Sequence, residues 1–180
     1  MGVHREISLL EPKLRKRVER ALIEFERRGF PVLISETLRD LEVQQAYYAQ
    51  GRATLAEVNA LREKANLYIL SPRENQNTVT NCDGIRHKSN HQARDESGFG
   101  HAIDLVPAKY DEKGNKNFWW NAPQEVWEKM GEIAEECGLD WCYGGKGESW
   151  GWDTPHFEIL KDYDESLLYS EEKVEENGGN

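Results

Sequence analysis

The sequence predicts an α+β domain with a small antiparallel sheet. Amphipathic helices are predicted at residues 12–28 and 123–137, and short apolar segments typical of strands lie between and after them. Helices and mainly non-alternating strands that follow one another in this order favour the α+β class. At 180 residues, the chain is long enough to form one domain with a hydrophobic core.

The helices are predicted from their apolar spacing and their ends. In the first helix, apolar residues recur every three or four positions, and Gly29 is suited to end it. A second helix is expected at residues 41–50. Residues 54–57 form a capping-box pattern, which begins a third helix that we expect to run to about residue 67.

Four short apolar segments are predicted as strands because turn residues bound them. They are residues 31–35, 101–106, 139–143 and 157–160. The second of these alternates polar and apolar residues, as a half-buried strand does, and we expect it to end at Pro107. The hydrophilic segment DEKGNKN, residues 111–117, predicts a turn, and residues 71–84 predict a loop.

Composition and charge exclude several classes of protein. The net charge of −10 argues against nucleic acid as a partner, because binding phosphates needs a basic face. No apolar stretch approaches the roughly 20 residues that cross a bilayer, so no membrane insertion is expected. The three cysteines include no CxxC pair, so neither a disulfide framework nor a cysteine-built zinc site is expected.

The two ends of the chain give further expectations. The N-terminus lacks the apolar core of a secretory signal, which predicts synthesis in the cytoplasm without an export signal. The folded domain is expected at residues 1–162, and the acidic segment at residues 163–180 predicts a mobile tail. We expect the protein to be a monomer.

Three polar clusters contain the residue types that a hydrolytic zinc site needs. A catalytic zinc takes three nitrogen or oxygen ligands and leaves one position open, and two histidines with one carboxylate meet that need. Asp153 lies three residues before His156, so one short turn places a ligand beside a carboxylate that can take a proton from water. Arg39 is a candidate for stabilising charge on the carbonyl oxygen of the bond that is cut.

Each of these residues also has an ordinary structural interpretation. A single His or Asp is usually structural or solvated, and the segment Asp153-Thr-Pro-His156 also fits a turn that leads into a strand. Arg39 also fits a surface salt bridge. The three clusters are residues 89–91 with 100–104, residues 152–158, and residues 37–39 with 44–52.

Taken together, the clusters resemble the zinc peptidases that include D-alanyl-D-alanine carboxypeptidases and the dipeptidases of vancomycin resistance. The similarity is greatest to phage endolysins that cleave the L-alanyl–D-glutamate bond. The pattern is Ser89-x-His91, then Gly100-x-Ala102-x-Asp104, then Asp153-Thr-Pro-His156-Phe157-Glu158, and the segment 39–52 accompanies it. The resemblance covers residues 34–159, which is most of the chain.

The resemblance implies a set of functional residues and a fold. It implies that His91, Asp104 and His156 bind zinc (Zn²⁺) and that Asp153 is the general base. It also implies that Arg39 binds the carbonyl oxygen or its developing charge. The implied fold is the compact antiparallel sheet flanked by helices that this family shares with the hedgehog signalling domain.

One segment departs from the family pattern. Residues 92–99 lengthen the gap between the first histidine and Gly100; the added segment at residues 93–98 is hydrophilic, and we expect it to loop out at the rim. The longer gap leaves His87 and His101 as alternative ligands. If His101 lies on a strand, its side chain points to the face opposite that of Asp104, which favours His91 as the ligand.

The leading hypothesis is a phage or prophage endolysin that hydrolyses the L-alanyl–D-glutamate bond of peptidoglycan stem peptides, after a holin-type protein releases it to the wall. The first alternative is a D,D- or L,D-carboxypeptidase, in which Arg86, Lys88 or Arg94 would bind the free carboxylate of a terminal D-alanine. The second alternative is a non-catalytic zinc-binding interaction domain. Asp153 disfavours it, because a structural zinc site needs no base.

Tryptophans and acidic loops leave further interpretations open. Trp127 is expected in the core, whereas Trp150 and Trp152 either wall the substrate cleft or pack in the core. The acidic pairs at residues 95–96 and 111–112 fit either calcium binding or a solvated surface, and the second interpretation is favoured.

Overall fold

The structure is a computed structural model, and it describes residues 2–145, 147 and 151–169. The elements, in chain order, are a 3-10 turn at Ile7–Leu9, α1 (Pro12–Arg27), β1 (Val32–Glu36), α2 (Leu41–Ala49), α3 (Leu55–Lys64), a 3-10 turn at Glu74–Gln76, β2 (Ile103–Tyr110), β3 (Lys116–Phe118), α4 (Gln124–Glu136), β4 (Leu139–Trp141), β5 (His156–Ile159) and a 3-10 turn at Glu165–Tyr169. The predicted α+β class with a small antiparallel sheet is confirmed.

The chain forms two compact units. The first unit is drawn from Met1–Leu10 and Ser35–His101, and the second from Glu11–Ile34 and Ala102–Asn180. Strand β1 begins in the second unit, and its last two residues belong to the first. The prediction of one catalytic domain at residues 1–162 stays a prediction.

The second unit contains most of the sheet, in the strand order β1-β2-β5-β4 with β3 paired to β2. Strand β5 is antiparallel to both of its neighbours, with Ile103 opposite Phe157 and Trp141 opposite the same phenylalanine. These three side chains are buried. Helices α1 and α4 contact each other and the strands. Because side chains alternate along a strand, the residues next to these three share the other face of the sheet.

The first unit is built around α2 and α3. Val43, Ala46 and Ala65 form an apolar cluster between these helices, and Tyr47 packs against it. The capping box predicted for α3 is present, because the Thr54 hydroxyl accepts from the Glu57 backbone N–H and the glutamate accepts from the Thr54 N–H in return. A long irregular segment joins α3 to β2, and it includes the loop predicted at residues 71–84.

Most predicted boundaries agree with the structure to within two residues, but two were wrong, and one strand was not predicted. The third helix ends at Lys64, and Asn66 then adopts a left-handed conformation. Strand β2 continues through Pro107 to Tyr110, because the proline carbonyl still accepts a bond from Trp119 N–H while its missing N–H is not needed there.

The third difference is β3, within and just after the segment predicted as a turn. The turn itself is present, with the Asp111 carboxylate accepting from the backbone N–H groups of Lys113 and Asn115. The chain then pairs back on β2, with Ala108 opposite Phe118. The sequence predicted the turn but not that the residues on its two sides pair as the strands β2 and β3 of a hairpin.

Part of the predicted acidic tail lies against the second unit. The buried guanidinium of Arg17 donates to the carbonyls of Gly138 and Leu160 at 2.7 Å each and to the Glu165 carboxylate at 2.5 Å. Tyr163 donates its hydroxyl to the Glu136 carbonyl at 2.8 Å. Residues 170–180 lie outside the described residues, so the boundary of the tail stays a prediction. Within the described residues, no helix has the length and apolar character needed to cross a membrane.

Candidate metal centre

Asp104 on β2 and His156 on β5 lie directly opposite each other in the antiparallel register. Opposed residues project from the same face of a sheet, so the strand pairing itself brings the two side chains together. His156 Nδ1 lies 3.3 Å from Asp104 Oδ1. The imidazole is 4% exposed, and the carboxylate is mostly buried. Two of the predicted ligands therefore form one rigid pair.

Asp153 lies in the turn that precedes β5, close to this pair. Its Oδ2 is 3.7 Å from His156 Nδ1, and the His156 backbone N–H donates to the Asp153 carbonyl at 3.3 Å. The turn is fixed from both neighbouring strands. The Trp141 indole donates to the Thr154 carbonyl at 2.7 Å, and the Leu105 backbone N–H donates to the Pro155 carbonyl at 2.9 Å. The base predicted from sequence thus lies next to the predicted ligand.

Glu158 contacts the other side of the imidazole. Its Oε1 lies 3.0 Å from His156 Nε2, two residues further along β5 on the same face of the sheet. Burial by itself lowers the pKa of His156, but hydrogen bonds to the Asp104 and Glu158 carboxylates outweigh it and raise that pKa to about 10. Three carboxylates around one buried imidazole make this a place of strongly negative potential, which favours a bound cation.

His91 belongs to the first unit, where the loop after Ser89 holds it. The side chain is 1% exposed, and its Nδ1 lies 2.8 Å from the Thr37 carbonyl oxygen. A carbonyl only accepts, so Nδ1 carries the proton and the ring's lone pair is on Nε2. A backbone carbonyl bonded to one ring nitrogen is the usual way in which proteins fix a metal-binding histidine for coordination through the other nitrogen.

Arg39, also in the first unit, is bound by its neighbours. Its guanidinium donates to the Glu36 carboxylate through Nε at 2.9 Å and Nη2 at 2.5 Å, and to Gln44 Oε1 at 3.0 Å. The side chains of Arg39 and Glu36 are 9% and 7% exposed, and Tyr47 lies under the guanidinium. The surface salt bridge considered from sequence is in fact a nearly buried one.

The two alternative ligands lie in different surroundings. His87 is exposed in a turn whose backbone N–H groups bond to the Asp83 carboxylate. His101 is half-buried, precedes β2, and its backbone N–H donates to the Asn90 carbonyl at 2.7 Å. Neither is in a group of three metal-binding side chains among the described residues. The lengthened loop is exposed at residues 94–98, as predicted. Gln92, which precedes that segment, is buried and bonds to Ser89 and Gly84.

The acidic loops and tryptophans also have definite places. The Asp95 and Asp111 carboxylates each accept hydrogen bonds within their own turn, which lowers the pKa of both. They fit the solvated-surface interpretation. Trp127 is in the core as predicted, and Trp152 is exposed. Trp150 lies outside the described residues.

Sequence reasoning missed two residues that organise the site. Glu158 was noted as part of the pattern, but no role was assigned to it. Trp141 was seen only as a strand residue. The signal for Glu158 was its position two residues after His156, which puts both on one face of a strand. Nothing local to Trp141 indicates that its indole reaches the Thr154 carbonyl.

The donors present fit zinc. Zinc binds imidazole nitrogen and carboxylate oxygen, and Asp104 and His156 offer one of each from adjacent strands that hold them in register. Glu158 supplies the hydrogen bond on the far ring nitrogen that orients a metal-binding histidine. Asp153 is near enough to act on a water molecule at the same place. Such a set has the ligand types and the base that a hydrolytic zinc site needs.

One protein-family model matches part of the chain. Residues 84–159 match the family model described as D-alanyl-D-alanine carboxypeptidase. The matched stretch contains His91, Asp104, Asp153 and His156. The match covers less than half of the chain, so it shows what this stretch is similar to.

Several solved structures are similar to this chain in fold. ChiX, an L-Ala D-Glu endopeptidase from Serratia marcescens, has a TM-score of 0.41 and 17% identity, over 85% of this chain and 82% of that one. VanY from the VanB-type resistance cassette, a D,D-pentapeptidase solved with Zn(II), has a TM-score of 0.46 and 14% identity, over 84% and 72%. VanYB in complex with D-alanine-D-alanine has a TM-score of 0.47 and 14% identity, over 89% of this chain and 75% of that one. A search of curated proteins found no match.

Proposed function

We propose that this chain is an L-alanyl–D-glutamate endopeptidase that cleaves peptidoglycan stem peptides, with His91, Asp104 and His156 as its zinc ligands. The observation that carries the proposal is the opposed pair of Asp104 and His156, with Asp153 3.7 Å from the imidazole. The fixed tautomer of His91, which directs its lone pair to Nε2, supports its role as the third ligand.

Asp153 is the proton carrier of the reaction. Bound zinc supplies a Lewis acid that favours ionisation of a water molecule and polarises the substrate carbonyl. The Asp153 carboxylate takes the proton from that water and delivers it to the nitrogen of the leaving amine. The bonds to Thr154 and Pro155 hold the turn, so the carboxylate keeps its position through both transfers.

Arg39 is proposed to stabilise the charge that develops on the substrate carbonyl oxygen. Glu36 and Gln44 fix the plane of the Arg39 guanidinium. A cation that is already oriented pays little reorganisation cost when charge develops nearby. This supports a catalytic role for Arg39 in addition to its structural one.

Charge placement supports an endopeptidase. A carboxypeptidase binds the free carboxylate at the end of its substrate, which requires a cation available to the substrate. Lys88 donates its ammonium to the Ala93 carbonyl, and Arg94 donates to the Lys88 carbonyl, so both cations serve their own loop. An endopeptidase has no terminal carboxylate to bind.

A D,D- or L,D-carboxypeptidase remains the second candidate, on one observation. Arg86 lines a cavity of the first unit together with Gln45, Tyr48 and Ile85. The description of the matching family supports the same activity. In this alternative, Arg86 binds the carboxylate of the terminal D-alanine.

Digestion of purified peptidoglycan, with mass spectrometry of the products, tests the proposal. Zinc-loaded wild type is expected to release new L-alanine and D-glutamate ends and to leave D-alanine ends intact. D153N is expected to lose about 10²–10⁴-fold of that rate while keeping its zinc. D162N is the matched control, since Asp162 is exposed at a positive φ of 61° that asparagine also adopts.

The same assay separates the alternatives. Loss of terminal D-alanine, abolished in R86Q, would establish the carboxypeptidase. Absence of any cleavage by the zinc-loaded wild type would contradict a wall peptidase.

We propose further that the enzyme reaches the wall from inside the cell through a holin-type protein. Expression with and without such a protein tests this, and lysis without it would contradict it.

A further inference from the structure

His156 has metal-binding side chains on both sides of its ring. Nδ1 faces Asp104 at 3.3 Å, and Nε2 faces Glu158 at 3.0 Å. A third donor lies on the Glu158 side. The ligand atoms of Cys142, His156 and Glu158 all lie within 4.8 Å of one another. The imidazole is therefore shared between two possible donor sets.

The strand register places Cys142 in this group. Asp140 lies opposite Glu158 where β4 pairs with β5, and side chains alternate, so Asp140 and Cys142 fall on the face that carries His156. The Cys142 backbone N–H donates to the His156 carbonyl at 3.1 Å, which continues the pairing one residue beyond the strand. Cys142 is in no disulfide, its Sγ donates to the Asp140 carbonyl at 3.7 Å, and it is 1% exposed.

The side chain of Glu158 gives this buried group an opening. It is 24% exposed, whereas that of His156 is 5% exposed. A hydrated ion can therefore meet Glu158 first and lose its water as it passes to the imidazole and the sulfur. Sulfur, imidazole nitrogen and carboxylate oxygen together match the preferences of cadmium and zinc rather than those of calcium or magnesium.

We propose that Cys142, His156 and Glu158 form a second metal site, selective for thiophilic divalent ions, which competes with the catalytic site for His156. On binding, the Cys142 thiol gives up its proton to solvent and coordinates as a thiolate. His156 coordinates through Nε2 and Glu158 through its carboxylate. The competition, though not the site, rests on the proposed function.

The competition follows from the chemistry of imidazole. A neutral ring has one lone pair, and its other nitrogen carries the proton. When Nε2 binds an ion beside Cys142, Nδ1 is protonated and faces Asp104 as a hydrogen-bond donor. His156 is then lost as a ligand of the catalytic zinc. Thiophilic ions in excess are thus inhibitors that act by removing a ligand, without entering the substrate cleft.

Titration of the zinc-loaded protein with cadmium tests the site directly. Thiolate coordination produces a ligand-to-metal absorption band in the near ultraviolet, which needs no enzyme activity. Wild type and the matched control C82S are expected to show the band with one cadmium per chain, and C142S to lose it. A band that is absent from wild type, or that survives C142S and disappears in C82S, would overturn the site.

Two further measurements guard against a folding defect in C142S. E158Q keeps the shape of the side chain and its contact with His156 but removes the charged donor. Its cadmium affinity is expected to fall at least ~10-fold with the band position unchanged. An affinity equal to that of wild type would overturn the role of Glu158. Circular dichroism of each variant establishes that it is folded.

The competition is tested as the ratio of peptidase rates with and without added cadmium. The ratio is expected to fall for wild type and C82S at the cadmium concentration that produces the band, and to stay near one for C142S. A saturated band with no inhibition would overturn the competition. A band in a chain that cleaves no peptidoglycan would refute the proposed function and leave the site standing.

Discussion

The indole Nε1 of Trp141 donates a 2.7 Å hydrogen bond to the carbonyl oxygen of Thr154, the residue after the proposed base. Trp141 is 5% exposed, and it lies on β4 opposite Phe157 of β5. A core side chain thus holds the turn that carries Asp153. Position of the base depends on packing in the second unit, as well as on the turn's own sequence.

Replacing Trp141 tests this dependence. In W141F the ring still fills the core, but the bond to Thr154 is lost, and Asp153 is held less firmly. We expect kcat to fall about 10–100-fold with KM and zinc content close to wild type. Steady-state kinetics on a defined muropeptide, with metal analysis of the purified protein, measures both.

The control for this substitution is W127F. Trp127 is equally buried, on α4, so its replacement changes the core without touching the turn. A drop in kcat of similar size in W127F would show that any core defect slows the reaction. Wild-type kcat in W141F would show that the turn needs no support from β4.

The parts of the fold that sequence predicts best are those whose signals are local. The capping box of Thr54 and Glu57 and the proline at the start of α1 are each confined to one helical turn, and both helices begin where predicted. The continuation of β2 past Pro107 and the existence of β3 depend on which strand lies alongside. That information is not local, so the expected end of β2 was wrong and β3 was not predicted.

The site residues divide in the same way between those that a local signal predicts and those that depend on strand pairing. Spacing alone placed Asp153 beside His156, because only two residues separate them. The contacts of Glu158 and Trp141 depend on the pairing of β4, β5 and the turn, which no single segment encodes. The sequence also left open a salt bridge for Arg39, and the structure shows that its partner is Glu36.

The ion pair of Arg39 and Glu36 allows catalysis to be separated from stability. Both side chains are nearly buried, so R39Q leaves a buried carboxylate without its main partner. We expect R39Q to lose about 3–5 kcal/mol of unfolding free energy and to lose activity as well. Urea unfolding measures the first effect, and kcat/KM measures the second.

The double variant E36Q/R39Q distinguishes the two roles of Arg39. Removing both charges relieves the unpaired carboxylate, so most of the stability is expected to return. Activity is expected to stay low, because no cation is left to stabilise the carbonyl oxygen. Recovery of activity together with stability would show that Arg39 is only structural.

Gly131 on α4 is expected to resist a substitution that usually stabilises a helix. Glycine-to-alanine in an exposed helix interior gains about 1 kcal/mol. At Gly131 the added methyl group would overlap the ring of Trp141, which packs directly on the helix backbone. Overpacking costs about 1–3 kcal/mol, so we expect G131A to be less stable than wild type.

Thermal and urea unfolding of G131A measure that loss. E128A, at an exposed position of the same helix, is the control for helix propensity. We also expect G131A to lower kcat, since displacing Trp141 weakens its bond to Thr154. A G131A protein that is more stable than wild type would show that the ring can move aside at no cost.

The lowered pKa of Glu24 on α1 determines how its contribution to the unfolding free energy changes in acid. Its buried carboxylate accepts bonds from Arg27 at 2.6 and 2.8 Å and a further bond from Arg28. Hydrogen bonds from Arg27 first, and then from Arg28, lower the pKa of Glu24 to about 2, against the desolvation that would raise it. A lowered pKa stabilises the folded state fully above the ordinary value of 4.5, and that stabilisation disappears as the pH falls towards 2.

The comparison of wild type with E24Q isolates this contribution. We expect the difference in unfolding free energy to be constant above about pH 5, to shrink as the pH falls below 4.5, and to approach its minimum near pH 2. Any loss of metal in acid affects both proteins alike, so it cancels in the difference between them. E26Q removes an exposed carboxylate of the same helix and controls for helix charge. A wild-type advantage over E24Q that does not change between pH 7 and pH 3 would mean that Glu24 is not held ionised by its arginines.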